Sequence, residues 1–228
     1  MKLVIQIACL NEEETLPVTL ADLPRSIPGI DAIEVLVVDD GSSDRTAEIA
    51  REHGASRIVR FPENRGLAAA FSVGLETSLA MGADLIVHTD ADNQYQGACI
   101  PDLCAPLLAR EADIVIGARP IEEIAHFSPM KKLLQRFGSS IVRRLSGTVV
   151  ADATSGFRAY SREAALRLTI VSEFSYTLET IIEAGHRGLA VTHVPIRTND
   201  KLRESRLFRS IPSYLRKSGL TMLRVYAM

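Results

Sequence analysis

The 228-residue chain has no tryptophan, only three cysteines and a net charge of −2. It also lacks any apolar run of the roughly 18 residues needed to cross a bilayer. Each shortage excludes something. Cys9, Cys99 and Cys104 have no metal-ligand spacing, and an odd number gives no disulfide framework. They read as buried free thiols in a reducing compartment. The near-neutral charge argues against a nucleic-acid-binding protein as a whole. The N-terminal MKLVIQIACLNEEE does not read as a secretory leader, because its apolar run is short and ends in three glutamates. No Gly-x-Gly-x-x-Gly follows the first strand, which disfavours a dehydrogenase. The length suits one α/β domain with a full core and is short for two.

The small net charge conceals an asymmetry. From Arg197 to Met228 eight Lys or Arg stand against Asp200 and Glu204, a local +6 that leaves −8 on residues 1–196. Such a segment is either a solvated basic tail or a surface for anionic lipid or phosphate. The apolar residues interleaved in it favour the second. The final SGLTMLRVYAM grows apolar in a helical pattern, as a chain continuing toward a membrane anchor would.

Strand-like and helix-like segments alternate. Strands are expected at residues 2–9, 33–38, 56–61, 84–89 and 113–116, and helices at 13–23, 44–53, 67–81 and 100–110. Apolar strands alternating with helices predict a mostly parallel sheet sandwiched by helices. Ligands in such sheets sit beyond the carboxyl ends of the strands. At those ends stand Leu10-Asn11-Glu12-Glu13-Glu14, Asp39-Asp40-Gly41-Ser42-Ser43-Asp44, Asp90-Ala91-Asp92-Asn93-Gln94 and Gly117-Ala118-Arg119. Carboxylates gathered on one edge repel unless a cation or a hydrogen-bond donor compensates.

In an extended segment Asp90, Asp92 and Gln94 point to one side. Two carboxylates and an amide oxygen form a hard-oxygen site for Mg²⁺ or Mn²⁺, which bind through one or two carboxylates plus substrate phosphates. The spacing serves equally well for aspartates that cap the next helix. In the second loop Gly41 can turn the chain, and Ser43 or Asp44 can cap the helix that follows. Asp40, at the strand end, can accept the imide N–H of uracil or the N–H groups of guanine. His88, two residues before Asp90 in a strand, reads as a core residue, as does His193; His53, His126 and His186 read as surface residues.

Six motifs in order carry a resemblance: Asn11-Glu12-Glu13, Val38-Asp39-Asp40-Gly41-Ser42, Asn64-Arg65-Gly66, Asp90-Ala91-Asp92-Asn93-Gln94, Gly117-Ala118-Arg119 and Thr154-Ser155-Gly156-Phe157-Arg158. Their spacing resembles that of family 2 glycosyltransferases over about residues 3–224. The branch it resembles is the polyprenol-phosphate sugar synthases, such as dolichol-phosphate mannosyltransferase. The resemblance implies a GT-A (Rossmann-like) fold at residues 1–200, followed at 201–228 by a basic acceptor loop and an amphipathic membrane-interface helix. It implies that Ala8, Leu10, Glu12 and Asp40 bind the nucleotide. Asp90, Asp92 and Gln94 then hold the cation and the diphosphate, with Arg119 near the phosphates. Many members have Pro-x-Tyr-Asn where this chain has Ala8-Cys9-Leu10-Asn11. Leu10 can pack on a base but cannot stack as an aromatic ring would, so UDP- and GDP-linked donors both stay open.

The implied reaction is sugar transfer from a nucleotide diphosphate to a polyprenyl phosphate, with inversion, at the cytoplasmic face of a membrane. The alternatives are transfer to a sugar or protein hydroxyl and an inactive nucleotide-sugar-binding module. A hydroxyl acceptor needs a general base. The family position for that carboxylate falls at Phe174, beside Glu173. Processive polysaccharide synthases need a Gln-x-x-Arg-Trp motif, which a chain without tryptophan cannot supply. A phosphate acceptor is already ionised and needs fixed positive charge instead, for which the planar Arg fork is suited. The candidates are Arg119, Arg158, Lys201, Arg203, Arg206 and Arg209, with Ser205 in the loop that carries several of them. Asp92, Arg119, Arg158 and Arg206 are expected to be catalytic. Residues 130–145 form a basic amphipathic pattern that suits either a bilayer surface or the domain itself.

Overall fold

Lys2–Cys9 (β1) is an apolar run rich in branched residues, and its central residues are buried on both faces. That pattern belongs to a parallel strand covered by helices on both sides. The structure, a computed structural model, describes residues 1–121, 129–171 and 176–200 together with Leu202 and Gly219, taking 129–136 as backbone. The expectations placed on Lys201, Arg203, Ser205, Arg206, Arg209, Glu173 and Phe174 fall outside the described residues, as does the expected final helix.

After β1 come α1 (Leu16–Asp22), β2 (Ala32–Asp39), α2 (Thr46–Glu52), β3 (Arg57–Arg60), α3 (Leu67–Ala80), β4 (Leu85–Asp90), α4 (Ile100–Leu108) and β5 (Ile114–Ala118). The expected elements are all present, most of them trimmed at the ends. The helix expected to begin at residue 13 begins three residues later, because Glu12 to Thr15 close a turn in which the Thr15 and Leu16 N–H groups donate to the Glu12 carbonyl. The chain continues through α5 (Pro129–Ser146), β6 (Arg158–Ser161), α6 (Arg162–Arg167), α7 (Tyr176–His186) and β7 (Val191–Pro195).

Among the described residues the sheet has seven strands in the order β3-β2-β1-β4-β6-β5-β7. All neighbours pair in parallel except β6, which runs antiparallel between β4 and β5. Side-chain alternation divides the core. Leu3, Ile5, Ile7, Val37 and Val87 face one layer with Ile100 and Leu103 of α4. Val4, Leu36, Val38, Ile86 and Ile116 face the other with Phe71 and Leu75 of α3 and Ile181 of α7. No helix among the described residues is long and apolar enough to cross a membrane.

Register decides where the site lies. Ala8 pairs with Asp90 across β1 and β4, and Cys9 pairs with Asp39 across β1 and β2. The acidic loops after β1, β2 and β4 therefore open on one edge of the sheet, the carboxyl edge where ligands of such sheets bind.

Candidate active site

The loops after β1 and β2 are stitched to each other by their own side chains. The Asn11 N–H donates to Ser42 Oγ at 2.9 Å, and the Ser43 N–H donates to Asn11 Oδ1 at 2.8 Å. Asn11 holds this position with φ of 54°, a left-handed conformation that asparagine tolerates better than most residues. The Glu12 N–H donates to Thr46 Oγ1 at 2.8 Å, and Thr15 Oγ1 donates to the buried Glu12 carboxylate at 2.6 Å. Asp44 Oδ1 accepts the Thr46 N–H at 3.0 Å and so closes the start of α2, the capping role read from the sequence. Gly41 turns β2 away with φ of +78°, and a Cβ there would lie 2.5 Å from the Glu63 carbonyl carbon.

Asp40 does more than end a strand. Its Oδ1 accepts the Arg65 N–H at 2.7 Å and its Oδ2 the Gly66 N–H at 3.0 Å, at the two residues that lead into α3. Burial pushes its carboxyl above the ordinary range, and the two amide donors offset part of that rise. The Asp40 carboxylate thus holds the chain entering α3 across 26 residues, a role its place after β2 does not reveal. Ala8 and Leu10 line the same edge, half-buried.

Asp90 ends β4 with its side chain 37% exposed, while Asp92 is nearly buried. The helix-cap reading of this pair does not hold: α4 starts at Ile100 with Cys99 at its N-cap and no side-chain cap. Asp92 Oδ1 instead accepts the Gln94 N–H at 3.2 Å in a turn within the loop. The loop is tied down from several directions. Thr19 Oγ1 of α1 donates to the Ala91 carbonyl at 2.9 Å. The Asn199 N–H donates to the Gln94 carbonyl at 2.9 Å, and Asn199 Nδ2 to the Asn93 carbonyl at 3.0 Å. From below, Gly156 approaches so closely that a Cβ would stand 3.3 Å from Asp90 Oδ2 and 3.0 Å from the Tyr176 hydroxyl. Tyr95 and Tyr176 grip that glycine: its N–H donates to Tyr95 Oη at 3.1 Å, and its carbonyl accepts from Tyr176 Oη at 3.2 Å. Burial raises the Tyr95 hydroxyl to about 12, so it serves as a neutral hydrogen-bonding group.

Among the described residues no group of three or more His, Cys, Asp or Glu could hold a metal ion. Two carboxylates and the Gln94 amide, all hard oxygen donors, suit a cation that completes its shell with diphosphate oxygens. These three residues therefore fit Mg²⁺ or Mn²⁺ bound together with a substrate.

Of the three arginines read as catalytic, the two among the described residues, Arg119 and Arg158, are placed differently. Arg119, after β5, forms a two-pronged pair with Asp152, Nε to Oδ2 at 2.7 Å and Nη2 to Oδ1 at 3.1 Å, and also donates to Thr154 Oγ1 at 2.9 Å. Burial opposes its charge, but the Asp152 carboxylate outweighs that and raises its pKa. Arg158 is fully buried. Its guanidinium donates to the carbonyls of Ser155, Thr177 and Ala153, each at 2.8 Å, and to Thr180 Oγ1 at 2.7 Å. A side chain so enclosed positions the 153–157 loop against α7; it does not reach a substrate. The reading of Arg158 as a phosphate contact is corrected accordingly. Sequence reasoning missed Asp152, Tyr95, Tyr176, Thr19 and Asn199. Nothing local marks them, since each acts on a partner 20 or more residues away.

A sequence profile of the family described as Glycosyl transferase family 2 matches residues 4–169. The chain is 33% identical over 209 residues to the dolichyl-phosphate hexose transferase of Haloferax volcanii, covering 90% of this chain and 86% of that protein. It is 30% identical over 206 residues to the undecaprenyl-phosphate mannosyltransferase of Micrococcus luteus, covering 86% and 83%. Among solved structures, it is similar in fold to glucosyl-3-phosphoglycerate synthase of Mycobacterium tuberculosis in complex with Mn²⁺, UDP-glucose and phosphoglyceric acid. The TM-score is 0.77 at 22% identity, over 100% of this chain and 80% of that one.

Proposed function

Because the chain belongs to glycosyl transferase family 2, we propose that it moves a sugar from a UDP- or GDP-linked donor to a polyprenyl or dolichyl phosphate at the cytoplasmic face of a membrane. It is a glycosyltransferase with a GT-A fold. Relatives at 30% and 33% identity, aligned over most of both chains, are named for lipid-phosphate acceptors. The observation that carries the reading is the single sheet edge on which Asp40, Asp90, Asp92 and Arg119 meet.

In this reading the loops after β1 and β2, with Ala8, Leu10, Glu12 and Asp40, receive the nucleoside. Asp90, Asp92 and Gln94 hold Mg²⁺ or Mn²⁺. When bound, the cation supplies Lewis-acid neutralisation of the charge that grows on the leaving diphosphate. The chain contributes position: the 90–97 loop is fixed by α1, by residues 197–199 and by Gly156 before any ligand arrives, so little reorganisation is left for the reaction. Arg119, locked by Asp152, keeps a fixed positive charge beside the site. Lys201, Arg203, Ser205, Arg206 and Arg209 are assigned to the acceptor phosphate. An acceptor that is already anionic needs no general base.

The test is transfer of radiolabelled sugar, from UDP- and GDP-linked donors with Mn²⁺ or Mg²⁺, to undecaprenyl phosphate. Label extracted into organic solvent supports the proposal. Label found only in water-soluble product points to a hydroxyl acceptor, and donor binding without turnover points to a binding module.

A further inference from the structure

His88 sits on β4 two residues before Asp90, on the same face of the sheet, and has no exposed surface. Its ring is clamped edge-on by Phe71, with centroids 5.2 Å apart, and by Tyr176, at 5.1 Å. Gln6, its register partner on β1, approaches Nδ1 with Nε2 at 3.2 Å. At its other end the Gln6 amide meets Ser78 Oγ of α3, 3.5 Å from Oε1. With its nitrogen toward the ring the amide donates and Nδ1 accepts, which puts the ring proton on Nε2, the tautomer that the Asp90 carboxylate beyond Nε2 also favours. Gly74 of α3 makes this possible, since a Cβ there would stand 2.5 Å from Gln6 Oε1.

That leaves Nε2–H buried without a hydrogen-bond partner. It stands 3.9 Å from Asp90 Oδ1. A core that needed only bulk at this position would be served better by an apolar side chain, because an unpaired buried donor costs free energy. The ring is packed between Phe71 and Tyr176, and the Asp90 carboxylate beside it is partly exposed.

We infer that His88 is a positioning residue for Asp90: its Nε2–H takes up one carboxylate oxygen and leaves the other aimed at the divalent cation. The inference rests on the metal reading proposed above. Hydrogen bonding to a ligating carboxylate fixes its rotamer, and loss of such support typically weakens metal binding by about 10–100-fold. The Gln6–His88–Asp90 row thus ties α3, through Ser78, to the cation site across two adjacent strands.

The test is Mn²⁺ binding to the full chain, followed by electron paramagnetic resonance with UDP and, separately, with GDP. His88→Leu removes the donor and is expected to weaken Mn²⁺ binding about tenfold. His88→Gln keeps an N–H at similar reach and is expected to stay close to wild type. Equal binding by wild type and His88→Leu overturns the inference, and so does an equal loss in both variants, which a merely structural role would give. If wild type itself binds no Mn²⁺ with either nucleotide, the metal reading falls and takes the inference with it. A readout independent of any variant's folding is the ¹H–¹⁵N correlation spectrum of ¹⁵N-histidine-labelled wild type. The Nε2–H tautomer is expected at His88, with its resonance moving when Mg²⁺ and nucleotide are added; an Nδ1–H tautomer, or no movement while the metal binds, overturns it.

Discussion

Asp152 shows how a residue invisible in the sequence can decide what a visible one does. Arg119 stands in a recognisable Gly-Ala-Arg run, but its direction is set by a carboxylate 33 residues on. Burial opposes the Asp152 charge, yet the Arg119 guanidinium outweighs it and holds the carboxyl below the ordinary 3.8. A folded pKa below the unfolded one means that unfolding takes up a proton in acid. The pair's contribution is present above pH 3.8 and is lost as the pH falls below that toward the lowered value. Asp152→Asn is expected to cost about 3 kcal/mol near pH 7, because it leaves a buried guanidinium poorly compensated. In urea unfolding the gap from wild type should narrow at pH 3; a gap that stays constant removes the ion pair as its cause. At the cation site, Asp92→Ala is expected to lower metal-dependent turnover by about a hundredfold or more. Unchanged turnover in the transfer assay removes Asp92 from that site.

At the scale of elements, β6 is the feature that local pattern could not reveal. Its four residues, Arg-Ala-Tyr-Ser, carry no clear alternation, and the strand exists because β4 and β5 stand open on either side of it. Its antiparallel course returns the 153–157 loop to the carboxyl end of β4, which is how Gly156 comes to lie under Asp90. Helix contacts are equally non-local. A Cβ on Gly185 of α7 would fall 1.9 Å from the Ser146 carbonyl oxygen at the end of α5, a backbone atom that cannot swing aside. Gly185→Ala is therefore expected to push α5 from α7 and destabilise the protein by about 1–3 kcal/mol. Thermal unfolding checks this, and an unchanged midpoint would show that the two helices separate freely.

At the scale of the whole molecule, charge is distributed by position along the chain rather than by total. The segment 197–228 carries +6 and the remainder −8. Phe137 of α5 stands 64% exposed on a helix that also bears Arg143 and Arg144 in its last turn. A basic, partly apolar surface of this kind is attracted to anionic headgroups, by about 1 kcal/mol for each cation near the surface. The protein is expected to sediment with phosphatidylglycerol vesicles, to ignore phosphatidylcholine vesicles, and to be released as salt shortens the reach of the attraction. Binding that is indifferent to both lipid charge and salt would count against a peripheral electrostatic attachment.

The alternation of apolar runs with amphipathic segments determined the layered fold, since burial of a strand on two faces leaves only a covered parallel sheet as its home. The acidic loops after β1, β2 and β4 were legible too, because a sheet of that kind sends its polar residues to one edge. Tertiary structure alone decided which charges are committed to the scaffold. The Asp40 carboxylate accepts from the two residues that lead into α3, Arg158 donates to three carbonyls, and Arg119 pairs with Asp152. Those choices depend on distances between segments far apart in the chain, and a linear pattern of residue types carries no distances.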